Sequence, residues 1–269
     1  MPELPEVETT VRGIAPFLTG QRLDAVMIHQ PSLRWPIPAS IETKLPGATC
    51  HQVIRRAKYL IFETSGGDVL AHLGMSGSFR LSDPETPRKT HDHIEIAVGD
   101  LVLRYHDPRR FGCFLWLADT RAQALLATLG PEPLSDAFTG SWLYTQARRR
   151  QVAVKNFIMS NPVVVGVGNI YASESLFLAG IHPNRAACRI SEARYEVLAK
   201  RIREVLTRAI HSGGTTLRDF VNGQGEPGYF QQTLQVYGRA GEPCRQCDMP
   251  IQSLVIGGRN SYFCKACQR

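Results

Sequence analysis

Cys244-Arg245-Gln246-Cys247 and, after a sixteen-residue spacer, Cys264-Lys265-Ala266-Cys267 enclose Leu254-Val255-Ile256-Gly257-Gly258-Arg259 and Tyr262-Phe263 near the end of a 269-residue chain. Each Cys-x2-Cys pair can turn two thiolates toward one point. The spacer is long enough for a hairpin that returns the second pair and closes a tetrahedral site. Gly257-Gly258 reads as the tip of that hairpin and the apolar residues beside it as its strands, so the segment is expected to be a β-ribbon zinc finger. The Zn2+ is structural on this reading, because four thiolates leave no coordination position for water. A redox dithiol or a disulfide pair fits the doubled motif and a reducing compartment less well. Arg259 then stands at or beside the tip.

Working back from the finger, the chain reads as helical. Trp142 to Arg150 ends in three arginines, Asn169 to Ala179 starts at a residue able to cap it, and Ser191 to His211 sets Leu198, Ile202, Val205 and Ala209 on one face. Pro162-Val163-Val164-Val165-Gly166-Val167-Gly168-Asn169 joins the first two helices. Its glycines let backbone amides come close to a ligand at a helix N-terminus, which makes a phosphate site; a packing turn between helices is the plainer alternative. Gly130-Pro131-Glu132-Pro133 marks a boundary, and before it the pattern becomes strand-like over Val53 to Glu63, Val69 to Leu81, His93 to Val98 and Leu101 to Leu117. These segments predict a sandwich- or barrel-like β domain, followed by a short helix over Ala122 to Leu129. A helix from Pro5 to about Phe17 precedes it, with Val7, Val11 and Ile14 on one face and Glu6 and Glu8 in the first turn, where the dipole favours acids. The chain is thus expected to be α+β in three parts, 1–130, 131–235 and 236–269.

The formal charge of +7 is uneven: through Gly130 there are 14 basic and 14 acidic residues, and from Pro131 onward 17 and 10. The second half is therefore the part suited to grip a polyanion, and arginine, 25 of the 31 basic residues, suits phosphate by its planar fork. No apolar run approaches the roughly 20 residues a membrane span needs, and the acidic, proline-bearing start is unlike a signal peptide. A cytoplasmic protein is expected, with Cys50, Cys113 and Cys188 as small buried hydrophobes.

Met1-Pro2-Glu3-Leu4-Pro5-Glu6 carries a different signal. Loss of Met1 would leave Pro2 as a secondary amine, and an α-amino group, with a reference pKa of about 7.7 to 8.0, is partly unprotonated at neutral pH. Such an amine can attack an aldehyde-like carbon and form an iminium ion. Prolines that merely shape a helix start explain the same residues without chemistry.

Six ordered stretches weigh against that plainer account: Pro2-Glu3-Leu4-Pro5-Glu6-Val7-Glu8-Thr9, Arg56-Ala57-Lys58-Tyr59-Leu60, His72-Leu73-Gly74-Met75-Ser76-Gly77, Asp107-Pro108-Arg109-Arg110-Phe111-Gly112, Val165 through Glu174, and the four-cysteine finger. Together they make the chain similar to the bacterial formamidopyrimidine-DNA glycosylases, which excise 8-oxoguanine and ring-opened purines. The resemblance implies an N-terminal helix and β-sandwich domain, a helix-two-turns-helix domain and the zinc finger. It implies a monomer acting on double-stranded DNA that contains oxidised purines or abasic sites, associated with the bacterial nucleoid through that DNA.

By the same resemblance Pro2 is the nucleophile at the sugar C1′, Glu3 the general acid/base, Glu6 a supporting carboxylate, and Lys58 an aid to β-elimination and a phosphate contact. Arg259 assists δ-elimination at the phosphate side. Met75, Arg109 and Phe111 match the set that fills the void left by an extruded base: a pliable thioether, a fork able to hydrogen-bond the orphaned base, and a flat ring able to wedge a base step. His91, Arg109, Arg150 (with Arg148 and Arg149 as alternatives to it), Lys155 and Asn169 correspond to DNA contacts, and Gly223 to Phe230 to a loop covering the flipped lesion. Two alternatives stand beside this reading. An endonuclease VIII-type enzyme would prefer oxidised pyrimidines, and a non-catalytic zinc-ribbon damage-binding protein would have no use for Pro2, Glu3 and Lys58 as a set.

Overall fold

A computed structural model describes residues 2–214 and 233–269, and the chain forms two compact units, one built on the residues through Ala127 and one on Thr128–His211 with the C-terminal segment. The expected lesion-covering loop, 223–230, lies outside the described residues.

In the first unit, helix α1 (Leu4–Leu18) buries Leu4, Val7, Val11, Ile14 and Leu18, a single stripe at spacings that keep returning to one face. Glu3 occupies its N-cap, and the Glu3 amide donates to Glu6 Oε2 at 2.8 Å, closing a capping box. Glu8 points off the stripe and accepts from Arg55 Nε at 2.9 Å and Arg12 Nε at 2.8 Å. Partial burial pushes the Glu8 carboxyl up, but the two guanidiniums outweigh it and hold the group below its ordinary range.

Two four-stranded antiparallel sheets follow. One has the order β1 (Ala25–Ile28), β6 (Asp92–Val98), β7 (Leu101–His106), β5 (Ser78–Ser82); the other β2 (Cys50–Arg56), β3 (Tyr59–Thr64), β4 (Val69–His72), β8 (Cys113–Trp116). Between β1 and β2 lies the one-turn α2 (Ile41–Lys44). Leu60, Phe62, Val69, Ala71 and Phe114 face Phe79, Ile94, Ile96, Leu103 and Tyr105, and the α1 stripe joins the same core. Alternate residues of the second sheet, Ile61, Leu70, Cys113 and Leu115, pack outward with Ala122 of α3 (Thr120–Ala127). Strands β3, β4 and β8 of that sheet are therefore rich in consecutive apolar residues, whereas β2, with two exposed residues, is not.

Three expected strands are each two in the structure. Val53–Glu63 is interrupted at Ala57-Lys58, a turn with Ala57 at φ +54°, so Lys58 stands on a hairpin turn and not on a strand. Val69–Leu81 and Leu101–Leu117 break at 73–77 and 107–112, where the chain leaves one sheet for the other. Apolar alternation on either side hides such breaks, because both flanking strands feed the same core. The two crossovers carry Met75, Arg109 and Phe111.

The second unit contains α4 (Gly140–Ala147), α5 (Val154–Ile158), α6 (Asn169–Leu178), α7 (Glu192–His211) and the ribbon β9 (Gln252–Ile256) and β10 (Arg259–Phe263). Leu198, Ile202, Val205 and Ala209 are buried on α7 as their spacing predicts. Arg259 pairs with Ile256, and Gly257 and Gly258 take φ +57° and +75° between them, as a two-residue hairpin turn with positive φ at both positions requires. Two local expectations fail. Helix α4 ends at Ala147, leaving Arg148 as its C-cap and Arg149 and Arg150 beyond it; and Gly168, not Asn169, is the N-cap of α6. Cys50 and Cys113 are buried, whereas Cys188 is only half-buried in a single 3-10 turn. No helix among the described residues is long and apolar enough to cross a membrane.

Candidate functional site

Pro2 is buried immediately before α1, and the capping box holds Glu3 and Glu6 at 2 % and 3 % exposure behind it. Lys58 is half-buried in the β2–β3 turn, and its charge reaches His72 at the end of β4. Burial, with help from Lys58 and Arg34, pushes His72 down to about 4. Its ring is therefore neutral at pH 7, and Nδ1 is free of a proton to accept the Gly74 amide at 3.0 Å. In this way a neutral, half-buried imidazole fixes the start of the crossover that carries Met75.

Met75 and, some thirty residues on, Arg109 and Phe111 line one cleft of about 800 Å³ together with Arg34, His72 and Gly74. Met75 is 39 % and Phe111 46 % exposed, unusual for large apolar side chains in a unit with so extensive a core. The Arg109 guanidinium lies 4.9 Å from the centre of the Phe111 ring, a cation–π contact that holds both side chains at the mouth. Gly74, at φ +62°, is needed twice over, since a Cβ there would overlap the backbone of Phe111 and Gly112. His91 is exposed, edge-on to His93 and His106 at 6.1 and 5.9 Å.

Arg150 is exposed just past α4, and Arg259 is exposed as the first residue of β10. Lys155 differs from expectation. It is fully buried on α5, and its ammonium donates to Ser261 Oγ at 2.6 Å, to the Asn260 carbonyl at 3.2 Å and to Asn169 Oδ1. It presents no surface to a phosphate here. Asn169 turns away from capping to the same cluster, donating to the Asn260 carbonyl at 3.1 Å. Ser261 in turn donates to the Arg259 carbonyl at 3.2 Å, so Lys155 and Asn169 together pin the strand that begins with Arg259.

Glu174, 2 % exposed on α6, accepts the amides of Gln235, Val236 and Tyr237 at 2.8, 3.0 and 2.9 Å. Burial raises its pKa against the lowering effect of those three donors. It clamps the chain leading into the finger, a role not read from the sequence, although a lone carboxylate among the apolar residues of α6 was a usable signal. Gln268 does similar work at the other end: its Oε1 accepts the Cys264 amide and its Nε2 donates to the Ile181 carbonyl, both at 2.9 Å.

The four finger thiols lie within 4.8 Å of one another, with Sγ–Sγ separations of 3.9 Å for Cys244–Cys267, 3.4 Å for Cys247–Cys264 and 3.5 Å for Cys247–Cys267. Tetrahedral Zn–S bonds of about 2.3 Å require sulfurs about 3.8 Å apart, so the cluster fits one zinc ion. Asp248 at φ +60° and the Gln246 amide, 3.4 Å from Cys244 Sγ, complete a knuckle that aims thiolates inward.

Comparison with known proteins agrees with this geometry. Residues 1–114 match the formamidopyrimidine-DNA glycosylase N-terminal domain, 129–221 its H2TH domain, and 241–269 the zinc finger found in FPG and IleRS. The chain is 55 % identical over 270 residues to the formamidopyrimidine-DNA glycosylase of Marinobacter nauticus, covering all of both chains. It is 56 % identical over 271 residues to that of Xanthomonas euvesicatoria, again covering all of both. Among solved structures, a Lactococcus lactis FPG variant bound to Fapy-dG-containing DNA superposes with a TM-score of 0.92 at 34 % identity over the full length of each. The Thermus thermophilus protein gives 0.88 at 38 % identity, over 99 % of this chain and 98 % of that one. With an ordered match through both units and a finger built for one structural zinc, the chain belongs to the formamidopyrimidine-DNA glycosylase family.

Proposed function

We propose that the protein is a bifunctional DNA glycosylase/AP lyase of base excision repair that removes 8-oxoguanine and formamidopyrimidines and then cuts the strand by β,δ-elimination. The observation that carries this reading is the convergence of Met75, Arg109 and Phe111 on one cleft, in the unit whose N-terminus holds Pro2 and Glu3. A base within a duplex must be extruded before its glycosidic bond can be attacked, and these side chains suit the space it leaves.

Once Met1 is removed, the Pro2 amine attacks C1′ and the glycosidic bond breaks with its electron pair on the base, which takes up a proton; the amine then gives up its own proton and its lone pair expels O4′, so the C1′–O4′ bond breaks as the iminium forms and O4′ is protonated. Glu3 is assigned the proton transfers on the opened sugar and Lys58 the β-elimination, with Glu6 holding the Glu3 backbone in place. Arg259 clamps the phosphate side, a role suited to a guanidinium that stays charged. His91, Arg109, Arg150 and Asn169 contact DNA, while Lys155 acts by anchoring the finger. The parts 1–130, 131–235 and 236–269 then divide the work into chemistry, backbone grip and phosphate clamping, on a protein held to the cytoplasmic nucleoid by its substrate. When bound, zinc supplies the finger with its fold and takes no part in the chemistry.

Solved Lactococcus lactis relatives hold an abasic-site DNA and, in another case, an oxidised-pyrimidine DNA, so a lesion panel must contain both base classes. Borohydride is added to each duplex with the protein. The expected result is a reduced adduct on Pro2 with oxidised-purine substrates, weaker with Pro2→Gly and absent when Met1 is retained. An adduct mapped to Lys58, or one that survives with Met1 in place, overturns the assignment; a stronger signal on oxidised pyrimidines favours the endonuclease VIII-type alternative.

A further inference from the structure

Asp107 has no exposed surface, yet it sits at the start of the crossover that ends in Arg109, Arg110 and Phe111. Its Oδ1 accepts the Ser76 hydroxyl at 2.8 Å; its Oδ2 accepts the Gly112 amide at 2.9 Å and the Tyr105 hydroxyl at 3.3 Å. Ser76 belongs to the other crossover, one residue after Met75, and its oxygen also accepts the Arg109 amide at 3.3 Å. The backbone of Asp107 is held as firmly: its amide donates to the His91 carbonyl at 3.0 Å and its carbonyl accepts from His93 Nε2 at 2.8 Å. One carboxylate therefore joins both crossovers, and through them all three side chains at the cleft mouth.

We propose that Asp107 is a positioning residue: its carboxylate locks the Met75 loop and the Arg109–Phe111 loop into one preformed wedge, so that the duplex meets side chains already in place. This rests on the reading above that Met75, Arg109 and Phe111 enter the duplex. The geometry leaves little room for another account of the residue. It faces no solvent, so it cannot itself reach DNA, and its acceptors are spent on two loop donors and the Tyr105 hydroxyl, not on the sheet ladders. Gly112 is part of the same device, because a Cβ there would collide with the Tyr105 hydroxyl that Asp107 binds. Preorganisation of this kind matters because displacements of about 1 Å in positioning groups lower rates by as much as about a hundredfold.

The test compares Asp107→Asn, Ser76→Ala and Phe111→Ala with the unaltered protein, each checked for its melting temperature. Two rates are measured for each: excision of 8-oxoguanine from a duplex, and cleavage of a preformed abasic site in single-stranded DNA, which has no opposite base and no void. The expected result is a fall in the duplex-to-single-strand rate ratio, on the order of tenfold or more for Asp107→Asn and smaller for Ser76→Ala. Should Asp107→Asn unfold the unit, Ser76→Ala decides alone, since it removes only the bridge between the loops. An unchanged ratio in folded Asp107→Asn and Ser76→Ala, with a lowered ratio in Phe111→Ala, overturns the positioning role while leaving the wedge intact. An unchanged ratio in Phe111→Ala overturns the wedge reading and the role of Asp107 with it.

Discussion

The two units hold the side chains proposed to meet DNA by different physical means. In the first, Met75, Arg109 and Phe111 stand on loops between two packed sheets, and hydrogen bonds to a buried carboxylate are enough to set them, because a large core already fixes where the loops begin and end. In the second, Arg259 stands on a two-stranded ribbon whose apolar cluster consists of Phe177, Val236, Cys244, Ile251 and Cys264, two of them metal ligands. A two-stranded hairpin is marginal by itself. The ribbon therefore depends on zinc at one end and on the buried Lys155 ammonium near the other. Where a core is large, polar contacts tune position; where it is small, a metal and a buried charge must supply the stability.

The largest effect that would sharpen this contrast is metal removal. Structural zinc contributes on the order of 10 kcal/mol in small finger modules, so chelation or Cys264→Ser should unfold the ribbon and abolish tight DNA binding. The β-sandwich transition should stay in place. Calorimetry resolved by unit, together with amide exchange in the ribbon, checks this; a ribbon that keeps its protection after verified zinc loss breaks the contrast.

A second test separates the two cations of the finger region. Lys155→Met keeps the buried stem but removes the donors to Ser261, Asn260 and Asn169, and should cost about 3 kcal/mol of stability in the second unit. The slope of log binding constant against log salt should hardly change, since no phosphate contact is lost. Arg259→Ala should do the reverse: little change in melting, a slope shallower by about 0.9 for one phosphate, and a larger share of β-product. A shallower slope in Lys155→Met would return that residue to the DNA surface, and an unaltered slope and product ratio in Arg259→Ala would remove that residue from it.

The smallest predicted effect lies in the first unit and depends on pH. His72 has its folded pKa lowered to about 4 from an ordinary 6.5, so the unfolded chain binds its proton first as pH falls. Its contribution is fully present above about pH 6.5 and is lost progressively toward pH 4. His72→Asn keeps an acceptor for the Gly74 amide but does not titrate. The drop in melting temperature between pH 7 and pH 5 should be smaller in that variant, and equal drops would show that the neutral ring is not what holds the Met75 loop.

Much of this was legible in the chain. The finger was readable because ligand spacing is a local property, α1 because a helix repeats its face every few residues, and the two-glycine tip because positive φ excludes most side chains. The family resemblance brought Met75, Arg109 and Phe111 together without geometry. Their burial environment was not legible: apolar alternation lies on either side of both crossovers, so the breaks at 73–77 and 107–112 looked like continuing strands. Asn169 looked like a cap because its type and place fit one, and only the neighbouring Asn260 carbonyl and Lys155 ammonium drew its side chain elsewhere.

By itself the sequence determined the finger, the α1 stripe, the buried face of α7 and the two-glycine tip, since propensity and ligand spacing are set within a few residues. The tertiary structure alone decided which sheet each strand joins, that Lys155 is an inward anchor, and that Asp107 links two loops separated by some thirty residues. The physical reason is that burial and hydrogen-bond partnership belong to pairs of distant residues. A polar side chain's role is settled by whichever donor or acceptor the folded core brings within reach.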